Sequence, residues 1–377
     1  MTQHSQPSYD LVIFGAASFV GKLIIDYVRE AAPEGLRIAV AGRNRKKLAA
    51  LDAPYPMIVA DAADADAMAE LARSAKVVLT TVGPYNLHGR ELVRACAENG
   101  TDYVDLCGEV VFVHDSVMEL DEVARRSGSR IIHSAGFDSV PSDVAVFQLS
   151  RMVDELGEVE MVISDLNGGV SGGTVASMLD SYQAASAEIS SPERRQAIRS
   201  PFALAPGKSS DQRVVATGFR PWDAPFFMAG YNTRLVRRSA QLLGYGENFN
   251  YVEYHRIGGR IRTAGFALGL VLIAQLIRQK WGRAIMRRFL PKPGQGPSKA
   301  QREKGGFTVT TTDVDSGAAV RVRLDMDPGY EGAALMIVEA AFSLLDGAGT
   351  PGVGTPATLG EAYVDRLRNA GMEISGP

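Results

Sequence analysis

The 377-residue sequence predicts an α/β fold, and three observations predict it. Over the first 145 residues, short apolar runs alternate with segments whose apolar residues recur at helical spacing. The first run, Leu11 to Phe14, ends at a glycine turn that opens a helix. Past residue 150 the pattern changes to alternating runs that suit an antiparallel sheet with one solvated face. The expected architecture is a Rossmann-type doubly wound parallel sheet joined to a second α+β domain built on a mostly antiparallel sheet.

Taken in order, Leu11 to Phe14 is the first expected strand, and Gly21 opens a helix through Arg29. Strands are expected at 36–41, 57–60, 76–82, 103–106 and 130–134. Helices fall between them at 44–51, 64–72, 89–99 and 114–126. In the second half, strands are expected at 158–165 and 248–255, with a hairpin of 307–312 and 320–327 around Asp315-Ser-Gly317. Helices at 331–345 and 359–369 close the chain. The domains expected are a dinucleotide-binding domain over 1–145 and an α+β substrate or dimerisation domain over 146–330. Helices of 331–377 then return to the first domain.

Composition narrows the function. Apolar residues make up 46% and charged residues 22%, as in a water-soluble globular chain. Two cysteines exclude a disulfide framework and a cysteine-rich metal site, and fit a reducing cytoplasm. No His-x-x-x-His or Cys-x-x-Cys is present, and neither metal nor nucleophilic catalysis is expected. None of the 12 tyrosines has a lysine four residues on, which argues against the short-chain carbonyl reductases. Charge is unevenly spread. Between His255 and Lys304 lie 12 Lys/Arg and one acid, a local +11 in a chain whose net charge is −3.

The first turn reads Gly15-Ala16-Ala17-Ser18-Phe19-Val20-Gly21, a looser relative of the G-x-G-x-x-G fingerprint with serine at the middle position. Strand, glycine turn and helix set a dinucleotide pyrophosphate on the amides and positive end of a helix. Past the second strand no acid is present to hold ribose hydroxyls, and Arg43 stands where a guanidinium grips a 2′-phosphate. This selects NADP(H), the alternative being that Arg43, Arg45 and Lys46 form a solvated helix face. Asp61 is placed to approach an adenine edge or to cap a helix. Val82, Gly83 and Pro84 follow the fourth strand at the carboxyl edge of the sheet. Beside them Tyr85 lines a nicotinamide site or seals the loop.

The chain resembles the saccharopine-dehydrogenase-like oxidoreductases, and within them the trans-acting enoyl reductases of polyketide lipid synthesis. The stretches that carry this are Phe14 to Lys22, Ala41 to Arg43, Leu79 to Tyr85, Gly100 to Leu106 and Gly136 to Asp143, then Ser171 to Thr174, Asn232 to Ser239 and Pro291 to Ser298. The chain departs from the family's turn at Ala17 and Ser18. The resemblance implies an NADP cofactor, an α,β-unsaturated acyl thioester as substrate, and an acyl carrier protein that presents it. Tyr85, Asp138 and Tyr182 are the candidates for proton donor or orienting group. Two further readings stand beside it: a saccharopine dehydrogenase-like amino-acid oxidoreductase, and a non-catalytic nucleotide-binding protein associated with a membrane.

The apolar run Ala264 to Ile277, within a basic–apolar helix near 260–290, has 14 residues. A bilayer takes about 20. It is read as an interfacial membrane helix, as a docking face for an acidic carrier protein, or as a core or homodimer helix with a basic tail. The expected location is cytoplasmic, with peripheral contact at the inner face of the plasma membrane under the first reading. Nucleic acid is not an expected partner, because no interleaved aromatics accompany the basic residues.

Overall fold

The computed structural model describes residues 7–168, 222–279, 281–282 and 298–376. Tyr182, the stretch Ser171 to Thr174 and all but Ser298 of the stretch Pro291 to Ser298 fall outside the described residues. The chain divides into two compact units, Met1–Gly136 with Ala333–Ala370 and Phe137–Gly332 with Gly371–Pro377.

In chain order the elements of the first stretch are β1 (Tyr9–Phe14), α1 (Phe19–Ala31), β2 (Ile38–Gly42), α2 (Arg45–Ala49), β3 (Met57–Val59) and α3 (Ala65–Ser74). They continue with β4 (Ala75–Thr80), α4 (Tyr85–His88), α5 (Arg90–Asn99), β5 (Asp102–Asp105), α6 (Val110–Ser127) and β6 (Arg130–Ile132). The second unit contributes α7 (Val140–Ser150), β7 (Glu158–Asn167), β8 (Asp223–Pro225), α8 (Ala229–Leu243), β9 (Asn250–Arg256) and α9 (Arg260–Arg278). It also holds α10 (Lys299–Arg302), β10 (Gly306–Asp313) and β11 (Ala319–Leu324). Last come α11 (Ala333–Leu345), β12 (Gly352–Gly354), α12 (Gly360–Asn369) and β13 (Glu373–Ser375).

The first unit is a seven-stranded sheet in the order β12-β6-β5-β4-β1-β2-β3, with every neighbouring pair parallel. Six of these strands are those the apolar runs predict. Leu11, Val12 and Ile13 are fully buried, which stabilises the fold by about 1.5–3 kcal/mol apiece. The seventh strand, β12, is not visible in the sequence because Gly352-Val-Gly354 offers a single apolar side chain. It is recruited by β6 through Gly352↔Arg130 and its neighbours. Arg130 secures this edge: its guanidinium pairs with Asp102 and donates to the carbonyls of Ala348 and Leu344. At the opposite end of β1, Asp10 accepts from the Arg37 guanidinium and from Lys76, and these cations hold its carboxyl well below the usual range.

Helix α11 is apolar all round, so it is a buried helix rather than a surface one. It packs on α1, β4 and β5. Its one carboxylate, Glu339, accepts from the Tyr27 hydroxyl at 2.7 Å and pairs with Arg366 of α12 at 3.0 Å.

The second unit carries a six-stranded sheet, β13-β11-β10-β7-β9-β8, antiparallel except for the β7–β9 pair. The hairpin of β10 and β11 follows the alternation in its sequence. Val320, Val322 and Leu324 are buried, while Arg321 is exposed. Helix α7 packs on β10 and β11, and α8 packs on α7 and β9.

Candidate functional site

The glycine turn sits beside the point where the strand order of the first sheet reverses, between β1 and β4, which is where open α/β sheets bind ligands. Gly15 has φ +91, and a Cβ there would lie 2.6 Å from Thr81 Oγ1. A Cβ on Gly21 would lie 2.4 Å from the Gly15 carbonyl oxygen. Both positions therefore exclude any side chain, and turn, helix and β4 loop lock together around them.

Ser18 has a role that the fingerprint does not supply. Its Oγ accepts from the Gly21 amide at 2.9 Å, capping α1, and hydrogen-bonds Thr81 Oγ1 at 3.0 Å. One of the amides at the helix mouth is thus taken by a side chain. Among the described residues no acceptor takes the N–H of Ala17 or Val20, so these two remain for an anion. Ala16 donates to the Ala41 carbonyl and lies buried beneath the turn, while Phe19 is half-buried in the first turn of α1. Arg43 is exposed immediately after β2. Asp61 accepts from the Ala63 amide at 3.1 Å in a local turn, and it is Asp64 that caps α3. The glycine cradle, the two amides and an exposed guanidinium one strand over fit a phosphorylated dinucleotide.

The β4 loop runs through Thr81, Val82 and a cis Gly83–Pro84 bond into α4. Tyr85 lies in the wall of this loop. Its hydroxyl donates to the Thr80 carbonyl and accepts from the Leu106 amide, each at 3.2 Å, and burial pushes its pKa well above 10. Of its two readings, sealing the loop is the one the geometry carries, and the phenol keeps its proton. Glu109 explains the end of the Asp105-Leu-Cys-Gly-Glu109 stretch: its two carboxylate oxygens accept from the Tyr85 and Asn86 amides at 2.7 and 2.9 Å.

Asp105 is the hub between the ends of β5 and β6. It accepts from the Cys107 and Ser134 amides, from Tyr103 and from His133 Nδ1, the last at 2.7 Å. His133 Nε2 meets Ser116 Oγ at 2.8 Å. Serine, histidine and aspartate line up as in a hydrolase, yet His133 is 0% exposed. With no path for a substrate, the trio is a packing device. It fixes Ser134, which holds φ +66 with its hydroxyl donating to the Cys107 carbonyl.

In the second unit Asp138 is exposed to solvent but surrounded by protein mass, which pushes its carboxyl up to about 6. The backbone beneath it is held by α8. Asn232 Nδ2 donates to the Asp138 carbonyl at 2.7 Å, and Ser139 Oγ donates to Asn232 Oδ1 at 2.8 Å. The same Asn232 amide donates to Glu253 Oε2 at 3.1 Å, and Tyr251 donates to Glu253 Oε1 at 2.9 Å. Glu253 is fully buried, which pushes its carboxyl up to about 7. Two turns further along α8, Ser239 donates to Asp143. Two stretches that carry the resemblance, 136–143 and 232–239, therefore recognise one another. Asn232, Ser139 and Glu253 were absent from the sequence-based candidates. The available signal was a glutamate two residues after Tyr251 on the same face of an alternating strand. Tyr182 lies outside the described residues, and among those described no cluster of His, Cys, Asp or Glu is arranged to hold a metal.

Residues 11–132 match the saccharopine dehydrogenase NADP binding domain. A Mycobacterium tuberculosis protein that carries the trans-acting enoyl reductase name is 36% identical over 97% of each chain. The trans-acting enoyl reductase of Mycobacterium bovis BCG is 34% identical, over 98% of this chain and 97% of its own. This chain belongs to the trans-acting enoyl reductase family. Its nucleotide domain is of the NADP-binding type, and the family is one of saccharopine-dehydrogenase-like oxidoreductases. The fold agrees: saccharopine dehydrogenase (L-Glu forming) from Saccharomyces cerevisiae superposes with TM-score 0.54 at 14% identity, over 98% of this chain and 100% of that one.

Proposed function

We propose that this family member is an NADPH-dependent enoyl reductase that acts in trans on an α,β-unsaturated acyl thioester of lipid or polyketide synthesis. In this reading the thioester is borne by an acyl carrier protein in the reducing cytoplasm. The observation that carries the reading is full-length similarity to proteins named for that activity. A saccharopine-like amino-acid substrate fits less well. The loops after β1, β4 and β5 read Gly15-Ala-Ala-Ser18, Thr81-Val-Gly-Pro84 and Leu106-Cys-Gly-Glu109, with no arginine to bind a carboxylate.

When bound, NADPH supplies the hydride that adds to the β-carbon. The protein's part is to hold the diphosphate on Ala17 and Val20 amides, grip the 2′-phosphate with Arg43, and give the α-carbon its proton. Asp138 is the proton donor in this reading. Its backbone is fixed by Asn232, and its exposure lets solvent restore the proton. Tyr85 shapes the loop, and Tyr182 is kept as the orienting group for the thioester carbonyl.

The test is NADPH oxidation with a panel of enoyl thioesters, both free and carrier-bound. Turnover on carrier-bound substrates is expected. NADP-dependent oxidation of an amino acid would transfer the chain to the saccharopine-like reading, and NADPH binding with no turnover on any substrate would make it a nucleotide-binding protein alone.

A further inference from the structure

Helix α9 is 19 residues long, about 28 Å at helical rise. Its inner side is anchored: Thr263 is buried, and the Phe266 ring meets His255 of β9 edge-on at 5.9 Å. The outer side is bare and mostly apolar, with exposed Gln275 near its far end. Ile261 is 89% exposed, Leu268 61% and Leu272 55%, and a spacing of seven then four residues sets them along one stripe. Ala264 and Gly265 are exposed on the same side. Arg260 and Arg262, both exposed, flank Ile261 to either side of the stripe. Two more exposed aromatics border β8, against which α9 packs: Trp222 before the strand and Phe227 after it. Trp281 follows the helix and is 60% exposed.

No helix among the described residues is long and apolar enough to cross a membrane. We propose that the outer face of α9, with Trp222, Phe227 and Trp281, docks this protein on an anionic lipid surface, lying in the plane of the interface. Three features on this face favour a bilayer over a protein partner. The stripe runs from Ile261 to Leu272 along the exposed side, as a helix lying in an interface requires. Tryptophan borders it, and tryptophan favours the headgroup region. The charge is complementary, because exposed Arg260 and Arg262 flank the stripe with no acid in the helix. The proposal is independent of the substrate: it stands whether or not the protein reduces an enoyl thioester.

The experiment is sedimentation of the full chain with phosphatidylglycerol–phosphatidylcholine vesicles and with pure phosphatidylcholine vesicles, at low and high salt. The unmodified protein is expected to pellet with the anionic vesicles, weakly with the neutral ones, and less as salt rises. The Leu268→Glu, Leu272→Glu double variant is expected to lose about tenfold or more in binding. Met118→Glu, at an exposed site on α6, is expected to bind as the parent does. Because both leucines are exposed, the double variant should unfold at the parent's temperature. Should it not fold, quenching of tryptophan emission by brominated lipid in the unmodified protein reads the same contact. No pelleting with anionic vesicles, or undiminished binding by a folded double variant, would overturn the proposal. So would concentration-dependent dimerisation, or capture of an acidic carrier protein, that the double variant abolishes in the absence of any vesicle binding.

Discussion

Gly21 and Arg43 show how much depends on single atoms. A methyl group on Gly21 would lie 2.4 Å from the Gly15 oxygen and 2.7 Å from that of Ala16, both backbone atoms that cannot swing aside. Gly21→Ala is therefore expected to cost about 2 kcal/mol or more and to abolish NADPH binding, read by thermal unfolding and by NADPH fluorescence titration. Among the described residues Arg43 has no side-chain hydrogen bond or ion pair, so its loss tests recognition. Arg43→Ala is expected to raise the Kd for NADPH about tenfold or more while leaving that for NADH and the melting temperature unchanged. Equal losses for both nucleotides would return Arg43 to a solvated helix face. The need for glycine at position 21 was legible in the sequence, because a helix that follows a strand through so tight a turn leaves no room for a side chain. The capping role of Ser18 was not, since its partner Thr81 lies 63 residues away.

At the scale of elements, the contact of α7, α8 and β9 buries a carboxyl group with three hydrogen-bonding neighbours. The ordinary carboxyl value for Glu253 is 4.5, and burial raises it to about 7 in the folded chain. A raised value means the folded state holds the proton longer than the unfolded chain does. The stability this group contributes is therefore complete below about pH 4.5 and lost as pH rises through about 7, a change on the order of 3 kcal/mol. Glu253→Gln is expected to flatten the fall in denaturant-unfolding stability between those limits. An unchanged slope would mean that Glu253 is already ionised across that range. Of these elements only β9 was expected from periodicity, and its pairing with α7 and α8 was not. Asn232 and Asp138 are 94 residues apart, and only packing brings α8 under the Asp138 backbone.

For the whole molecule, the proposal that Asp138 is the proton donor predicts a pH-dependent turnover, because its carboxyl is pushed up to about 6. A donor must be protonated, so kcat/KM for an enoyl thioester is expected to fall as pH rises through about 6. Asp138→Asn is expected to lower turnover about 100-fold and to remove that limb. A pH profile identical to the parent's would pass the role to another group. A companion variant, Asn232→Ala, releases the backbone beneath Asp138 together with Ser139 and Glu253, without touching the carboxyl itself. It is expected to lower kcat while leaving the NADPH Kd alone.

By itself the sequence determined the parallel sheet, the nucleotide turn, the second sheet's hairpin and the family. Each of these is written in local terms, as the period of apolar residues or the size of a side chain within a few positions. Tertiary structure alone decided that β12 joins the edge of β6 and that Tyr85 faces the wall. It also decided that the Ser116–His133–Asp105 trio is sealed from solvent and that the apolar side of α9 is bare. Burial and exposure depend on what other parts of the chain bring into contact. For α9 the same apolar run fits a core or a surface, and the fold places Leu268 and Leu272 in the open.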